Sequence, residues 1–307
     1  MATPLGISTS WNAARLVDGR RIVEEVLDLG FRTLEVDYRV TAEAARAIGG
    51  FVKAGAITVP SVHNFSPLGP GELPSHQGGH KLSLATRDED ERRRAVELTL
   101  VSAALAHDLG ARALVLHLGE TDIPRDYLKQ LAGVVKAEGA ASPQAARLRE
   151  GLKVARHGKI APLLDAAERS LGELLQGTDP ALILCIENRN HYHQLPLADE
   201  AVRLIEALGS PRVRYWHDVG HAHALEVLGF MPHLGTLKSM VPYLHGMHLH
   251  DALFTADHKA PGTGEIDFAS ILALAPAEVL KVLELAPAVA REEVAECLAY
   301  LRGRAQM

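Results

Sequence analysis

Two hydrophobic patterns alternate along this chain. Short, nearly continuous apolar runs are separated by longer stretches in which apolar residues recur at i, i+3 and i+4. Continuous runs rich in Val, Ile and Leu suit parallel strands covered on both faces. The longer period marks helices with one buried side, as in Ala95, Leu98, Val101, Leu105 and Leu109. Strands are predicted at 5–8, 33–36, 57–63, 113–117, 181–187, 213–218, 246–250 and 279–284. Helices are predicted at 13–29, 42–53, 88–109, 199–208 and 291–302, with short helices between His221 and Tyr243. Strands alternating with helices imply parallel pairing through right-handed crossovers, and eight such units close most simply into an α/β (β/α)₈ TIM barrel. One domain spanning 1–307 is expected.

Two stretches exceed what a minimal barrel needs. A loop rich in Gly, Pro and His runs from 64 to about 86. Residues 120–179 carry mostly helical sequence, with expected breaks at Gly139-Ala-Ala-Ser-Pro143 and at Gly158. They read as a helical insertion between strands four and five, either two or three helices at the catalytic rim or a peripheral helical pair that only lengthens the barrel wall.

The strand ends carry the chemistry. Val-Pro-Ser-Val-His63, Leu-Val-Leu-His117, Leu-Cys-Ile-Glu187, Arg-Tyr-Trp-His-Asp218, Gly-Met-His248-Leu-His250-Asp251 and Lys-Val-Leu-Glu284 each finish an apolar run with a metal-type ligand. Barrel active sites form at these C-terminal strand ends. Alternation puts Ile183, Cys185 and Glu187 on one face, and His248 with His250. A rim salt bridge would explain any one of these residues. Glu187, Asp218 and Glu284, brought together with His248 from four consecutive strands, are carboxylates that would repel each other without a cation. Such an oxygen-rich set suits one divalent metal, Mn²⁺ first, with Mg²⁺, Co²⁺ or Zn²⁺ as alternatives. His63, His117, His221, His250, His258 and Lys259 are expected to contact substrate, the histidines otherwise serving further metals. His191, His193, His223 and His245 read as supporting or surface groups. Glu35 and Asp37 either line the pocket or pair with Arg32 or Arg39. Pro261-Gly-Thr-Gly-Glu-Ile-Asp267 reads as a tight turn into a helix capped by Asp267.

Composition narrows the class. A net charge of −6 argues against a broad polyanion surface, hence against nucleic acid. Two cysteines suggest a reducing compartment. The start Met1-Ala-Thr-Pro-Leu lacks a signal-peptide pattern, and no apolar stretch spans a bilayer. A cytoplasmic protein without membrane contact is expected, one that can form homo-oligomers.

The motifs Ile-Glu187-Asn188, Asp218-Val-Gly-His221, His248-Leu-His-Asp251, Pro-Gly-Thr-Gly-Glu-Ile-Asp267 and Val-Leu-Glu284 together resemble the xylose-isomerase-like barrel superfamily of sugar isomerases and epimerases, which also contains endonuclease IV. The resemblance spans nearly the whole chain. In the epimerase branch it implies Glu187, Asp218, His248 and Glu284 as ligands of one metal, Glu187 and Glu284 as catalytic proton carriers, and His221 as a substrate contact. Where that branch often carries an arginine, this chain has Phe254 and Lys259. The nuclease branch would place His63, His117, His221 and His258 around three zinc ions. Its Asp-x-His is here Asp257-His258, and its Asp-Thr is Asp218-Val219.

The function expected is therefore a divalent-metal-dependent isomerase or epimerase of a sugar, sugar phosphate or polyol. Proton transfer would pass through an enediolate, with Glu187 and Glu284 as base and acid. The alternatives are an endonuclease IV-like zinc phosphodiesterase acting on abasic DNA, a related dehydratase or lyase, and a non-catalytic sugar-binding barrel.

Overall fold

A computed structural model describes residues 3–69 and 82–304. Eight parallel strands form the barrel: β1 (Leu5–Ser8), β2 (Leu34–Glu35), β3 (Ser61–His63), β4 (Ala113–Leu116), β5 (Ile183–Glu187), β6 (Val213–Asp218), β7 (Leu244–Leu249) and β8 (Leu280–Leu283). Neighbours in sequence are neighbours in space, and β8 returns to β1. Bridges Thr33–Thr58 and Val36–Val62 join β2 to β3, with His63 N–H donating to Val36 O at 2.8 Å.

Strand alternation sets the two sides. Leu114, Leu116, Leu184, Ile186, Met247, Leu249 and Leu283 point outward into the layer shared with the helices. Ala113, Val115, Cys185, Trp216 and Val282 fill the inside. The indole of Trp216 plugs the barrel because β7 offers a glycine opposite it. A Cβ on Gly246 would lie 2.0 Å from Trp216 Cζ3. The inner parity then carries Glu187, Asp218, His248 and Glu284 to the C-terminal mouth.

Ten α-helices are described: α1 (Gly19–Asp28), α2 (Ala42–Lys53), α3 (Glu89–Leu109), α4 (Arg125–Glu138), α5 (Pro143–Gly177), α6 (Ala198–Leu208), α7 (Val219–Val227), α8 (His233–Met240), α9 (Phe268–Leu274) and α10 (Arg291–Arg302). Their ends follow local chemistry. Asp88 accepts from Asp90 and Glu91 N–H at the start of α3, and Gly110 ends it at φ 72°. Asp267 caps α9 by accepting from Ser270 N–H, as expected from the turn before it.

Several boundaries differ from the expectation. The helix expected at 13–29 begins only at Gly19, where Asp18 accepts from Arg20 N–H. The preceding residues fold as turns, such as Ala13 N–H to Thr9 O. The strand expected at 57–63 shortens to Ser61–His63 behind Pro60, which has no N–H to add to a ladder. In α3 the buried face is Ala95, Thr99, Ser102, Ala103 and Ala106, while Val101 is exposed. Small residues let this helix approach the sheet, and Thr99 and Ser102 hydrogen-bond the Asn64 side chain.

Residues 120–179 fold as the helices α4 and α5. The break at Gly139–Ser142 occurs; that at Gly158 does not, and α5 runs through it and through Pro162. α5 packs on α3 and α6 as the wall helix, so α4 is the added element. α4 and α5 share an apolar cluster with Tyr192, Leu225 and Leu228, and Tyr192 stacks on Phe230 with ring centroids 3.9 Å apart. The middle of the loop expected at 64–86, residues 70–81, lies outside the described residues. Two antiparallel ribbons absent from the expectation stand at the mouth, Gly119–Glu120 with Gln194–Leu195 and Asp251–Leu253 with Ala256–Lys259. No helix among the described residues is long and apolar enough to cross a membrane.

Candidate metal centre

Glu187, Asp218, His248 and Glu284 converge from β5, β6, β7 and the end of β8. All four are buried, with one ligand atom each within 4.8 Å of the others. His248 Nδ1 faces the three carboxylates: Glu187 Oε1 at 2.6 Å, Glu284 Oε2 at 3.1 Å and Asp218 Oδ2 at 3.7 Å. Its Nε2 lies 3.0 Å from Glu35 Oε1, which also accepts at Oε2 from Ser61 Oγ at 2.7 Å. The imidazole is thus held from behind by one carboxylate and aimed at three. Such an outer carboxylate orients a metal-bound histidine and raises its basicity.

The charges support one another. Burial alone would raise Glu187, but the imidazoles of His248, His117 and His63 hold it well below the usual carboxylate range. Burial would likewise raise Glu284, which His248 and His258 hold well below it. Asp218 is lowered by His221 and His250 against the same penalty. Burial would lower His248, yet Glu284, Glu35 and Glu187 push it well above an ordinary imidazole. An imidazole and three carboxylates around one point match the donor set of a hard or borderline divalent ion.

Supporting residues fix Asp218. Asn188 clamps β5 to β6: its Oδ1 accepts from Asp218 N–H at 2.8 Å and its Nδ2 donates to Asp218 O at 2.9 Å. Asp218 Oδ1 accepts from His221 N–H at 2.7 Å, starting α7. His258 N–H donates to His250 Nδ1 at 2.8 Å, so His250 carries its proton on Nε2, which donates to Asp218 Oδ2 at 2.8 Å. The glycine of Asp-Val-Gly-His makes room for that ring. A Cβ on Gly220 would lie 2.1 Å from His250 Cε1.

Above the centre lies a cavity of about 640 Å³, lined by Tyr38, His117, Arg189, His221, His258 and Glu284 among others. A groove of about 680 Å³ between α5 and α6 lies apart from these groups and includes the Arg156–Glu200 pair. Of the expected substrate contacts, His117, His221 and His258 reach the cavity. His63 is buried beside it, its Nδ1 on Asn64 O at 2.9 Å and its Nε2 3.8 Å from Glu187 Oε2. His250 is also buried, with both ring nitrogens engaged, and Lys259 is outside the lining. His221 directs Nδ1–H to Asn188 O at 2.9 Å, leaving Nε2 toward Asp257 Oδ2 at 3.9 Å. His258 Nδ1 lies 3.0 Å from Asp257 Oδ1 and Nε2 3.5 Å from Glu284 Oε2. Burial would lower His258, but Asp257 and Glu284 raise it well above 6.5.

Sequence reasoning missed the roles of Glu35 and Arg189. Glu35 shares the strand-end position of the other acids, a signal that was available. Asp37 pairs with Arg39 at 2.7 Å, one of the two expected readings. His193 and His223 are buried against Glu120 and Glu265, consistent with supporting positions, whereas His191 lines the cavity.

The chain belongs to the xylose isomerase-like TIM barrel family, whose sequence model matches residues 23–278. Its fold is shared by several solved structures. A D-tagatose 3-epimerase-like protein superposes with a TM-score of 0.67 at 14% identity, covering 98% of this chain and 97% of that one. The 3-keto-D-glucoside 4-epimerase of E. coli gives 0.68 at 15% identity over 97% and 98% of the two chains. The IolI protein, solved with a bound zinc atom, gives 0.66 at 13% identity over the full length of both. No curated protein matches the sequence significantly.

Proposed function

We propose that this protein is a divalent-metal-dependent isomerase or epimerase of a sugar, sugar phosphate or polyol. The observation that carries this reading is the meeting of Glu187, Asp218, His248 and Glu284 beside a cavity of sugar size that Glu284 lines. Family membership and the structural likeness to a 3-keto-D-glucoside 4-epimerase and a D-tagatose 3-epimerase-like protein support it. Glu187, Asp218, His248 and Glu284 would hold the ion, with Mn²⁺ first and Mg²⁺, Co²⁺ or Zn²⁺ as alternatives. When bound, it would polarise a substrate carbonyl and the neighbouring hydroxyl oxygen, and so acidify the hydroxyl-bearing carbon next to the carbonyl.

The protein's own groups supply the proton handling. Glu284 faces the cavity and is held ionised, so it is placed to take a proton from substrate carbon. Glu187, also ionised, approaches from β5 and would act on the other face of the resulting enediolate. His258, protonated by its two carboxylate neighbours and lining the cavity, can return a proton to a substrate oxygen or to Glu284. His221 is fixed by Asn188 with Nε2 free to bind a hydroxyl. A dehydratase or lyase would begin with the same abstraction.

The test is chelation of the purified protein with a panel of ketoses and keto-sugars in D₂O. Activity lost in chelator and restored by Mn²⁺, with deuterium entering the substrate carbon, is the expected result. Full activity in chelator ends this reading.

A second reading is favoured by one observation. Two further ligand groups overlap the centre: His63, His117 and Glu187, and Asp218, His221, His250 and His258. Three sites of this kind would suit a zinc phosphodiesterase acting on abasic DNA. Three ions per chain and cleavage of abasic DNA would establish it. One ion and no cleavage would remove it.

A further inference from the structure

We infer that Arg189 is a resident cation of this centre, seated among His63, His117 and Glu187, and that it restricts the chain to one metal ion. The inference rests on the one-metal reading above and deepens it.

The ligand atoms of His63, His117 and Glu187 lie within 4.8 Å of one another, as a metal site requires. His63 donates Nδ1–H to Asn64 O and turns Nε2 toward Glu187 Oε2 at 3.8 Å. His117 Nε2 stands 2.6 Å from the same oxygen. Glu187 is fully buried, and a buried carboxylate needs donors and positive charge beside it. Arg189 supplies it. Its Nη1 donates to Glu187 Oε2 at 2.9 Å and contacts His117 Nε2.

The sequence makes this placement local. Arg189 follows Glu187 by two residues at the end of β5, and its side chain is 14% exposed. A guanidinium stays charged at any pH a protein survives, and it offers donors in a fixed plane. A second divalent ion would have to displace that charge and take over its hydrogen bonds. Arg189 also divides the work of Glu187. Oε2, the oxygen that remains for proton transfer, is oriented by the guanidinium, while Oε1, 2.6 Å from His248 Nδ1, is left for the central ion. The remaining group is incomplete as a metal site for a different reason. Both nitrogens of its His250 are engaged, one by His258 N–H and one by Asp218.

Arg189 is therefore a positioning residue, and metal count reads its role independently of turnover. The full chain is dialysed against excess Mn²⁺, and separately Zn²⁺, and ions per folded chain are counted by mass spectrometry of the metal. The wild type is expected to hold one ion. Arg189→Met and Arg189→Gln are expected to hold two, Arg189→Lys one, and the double variant Arg189→Met with His117→Ala one again. Two ions on the wild type, or one on both neutral variants with native circular dichroism, overturns the inference and leaves the metal reading standing. No ion on the wild type overturns both.

Discussion

Glu35 Oε1 stands 3.0 Å from His248 Nε2, joining β2 to β7 across the floor of the barrel. Glu35 is itself held by Ser61, so His248 cannot turn without breaking two buried contacts. Removing this carboxylate should weaken metal binding without removing a ligand. Glu35→Gln and Glu35→Ala are expected to lower Mn²⁺ affinity by about 10–100-fold, the usual effect of losing an outer partner. Competition titration against a chelating dye measures it. Unchanged affinity in Glu35→Ala would show that packing alone orients the ring.

Metal binding should depend on pH through His248. Its carboxylate neighbours outweigh burial and raise its pKa well above 6.5, so the metal-free protein holds a proton that an ion must displace. Affinity is expected to rise about tenfold per pH unit until the folded-state pKa is passed. The sign for stability is opposite. A raised histidine stabilises the metal-free fold fully below its unfolded pKa, and that contribution is lost as pH rises through the folded value. The gap in melting temperature between metal-loaded and metal-free protein should therefore widen with pH. Calorimetry in buffers of different ionisation enthalpy should detect the released proton; none released above pH 6.5 would contradict the mechanism.

Much of this arrangement was legible in the chain. Glu187, Asp218, His248 and Glu284 each close an apolar run, and strand parity alone puts them on the inner side of a barrel. Boundaries were less legible where a local hydrogen bond decided them, as Asp18 does for α1. Gly158 looked like a break, but α5 is buried between α3 and α6 on one side and α4 on another, and packing there outweighs helix propensity. His250 and Arg189 could not be placed from spacing. His250 shares the parity of His248, yet its role is fixed by the backbone N–H of His258, whose φ of 56° only the folded loop reveals. Arg189 reads as an ordinary loop cation until His117 is brought to it from another strand.

Asp251, beside His250, gathers the loop that follows. Its Oδ2 accepts from Gly262 N–H at 2.8 Å and Gly264 N–H at 2.9 Å, and its Oδ1 from Ala252 N–H at 2.9 Å and Ile266 N–H at 3.1 Å. Asp251→Ala strands these donors. The expected cost is about 3 kcal/mol or more, since each buried unpaired donor costs about 1–3 kcal/mol. Urea unfolding measures it, and a loss under about 1 kcal/mol would mean that water replaces the carboxylate.

Glu187 and Glu284 are not equivalent, and amide substitutions should separate them. Glu284 lines the cavity, whereas Glu187 is fully buried and bonded at both oxygens. Glu284→Gln keeps the shape and removes the cavity-facing base, so it should reduce deuterium exchange into bound substrate by about 10²–10⁴-fold. Glu187→Gln removes a base of the same kind and also a negative charge on which His248, His117 and Arg189 converge. It should therefore lower exchange and metal affinity together. Assayed at saturating Mn²⁺, Glu284→Gln should stay impaired while Glu187→Gln recovers in part. Equal recovery of both at high metal would assign Glu284 to metal holding alone and leave the proton transfer to another group.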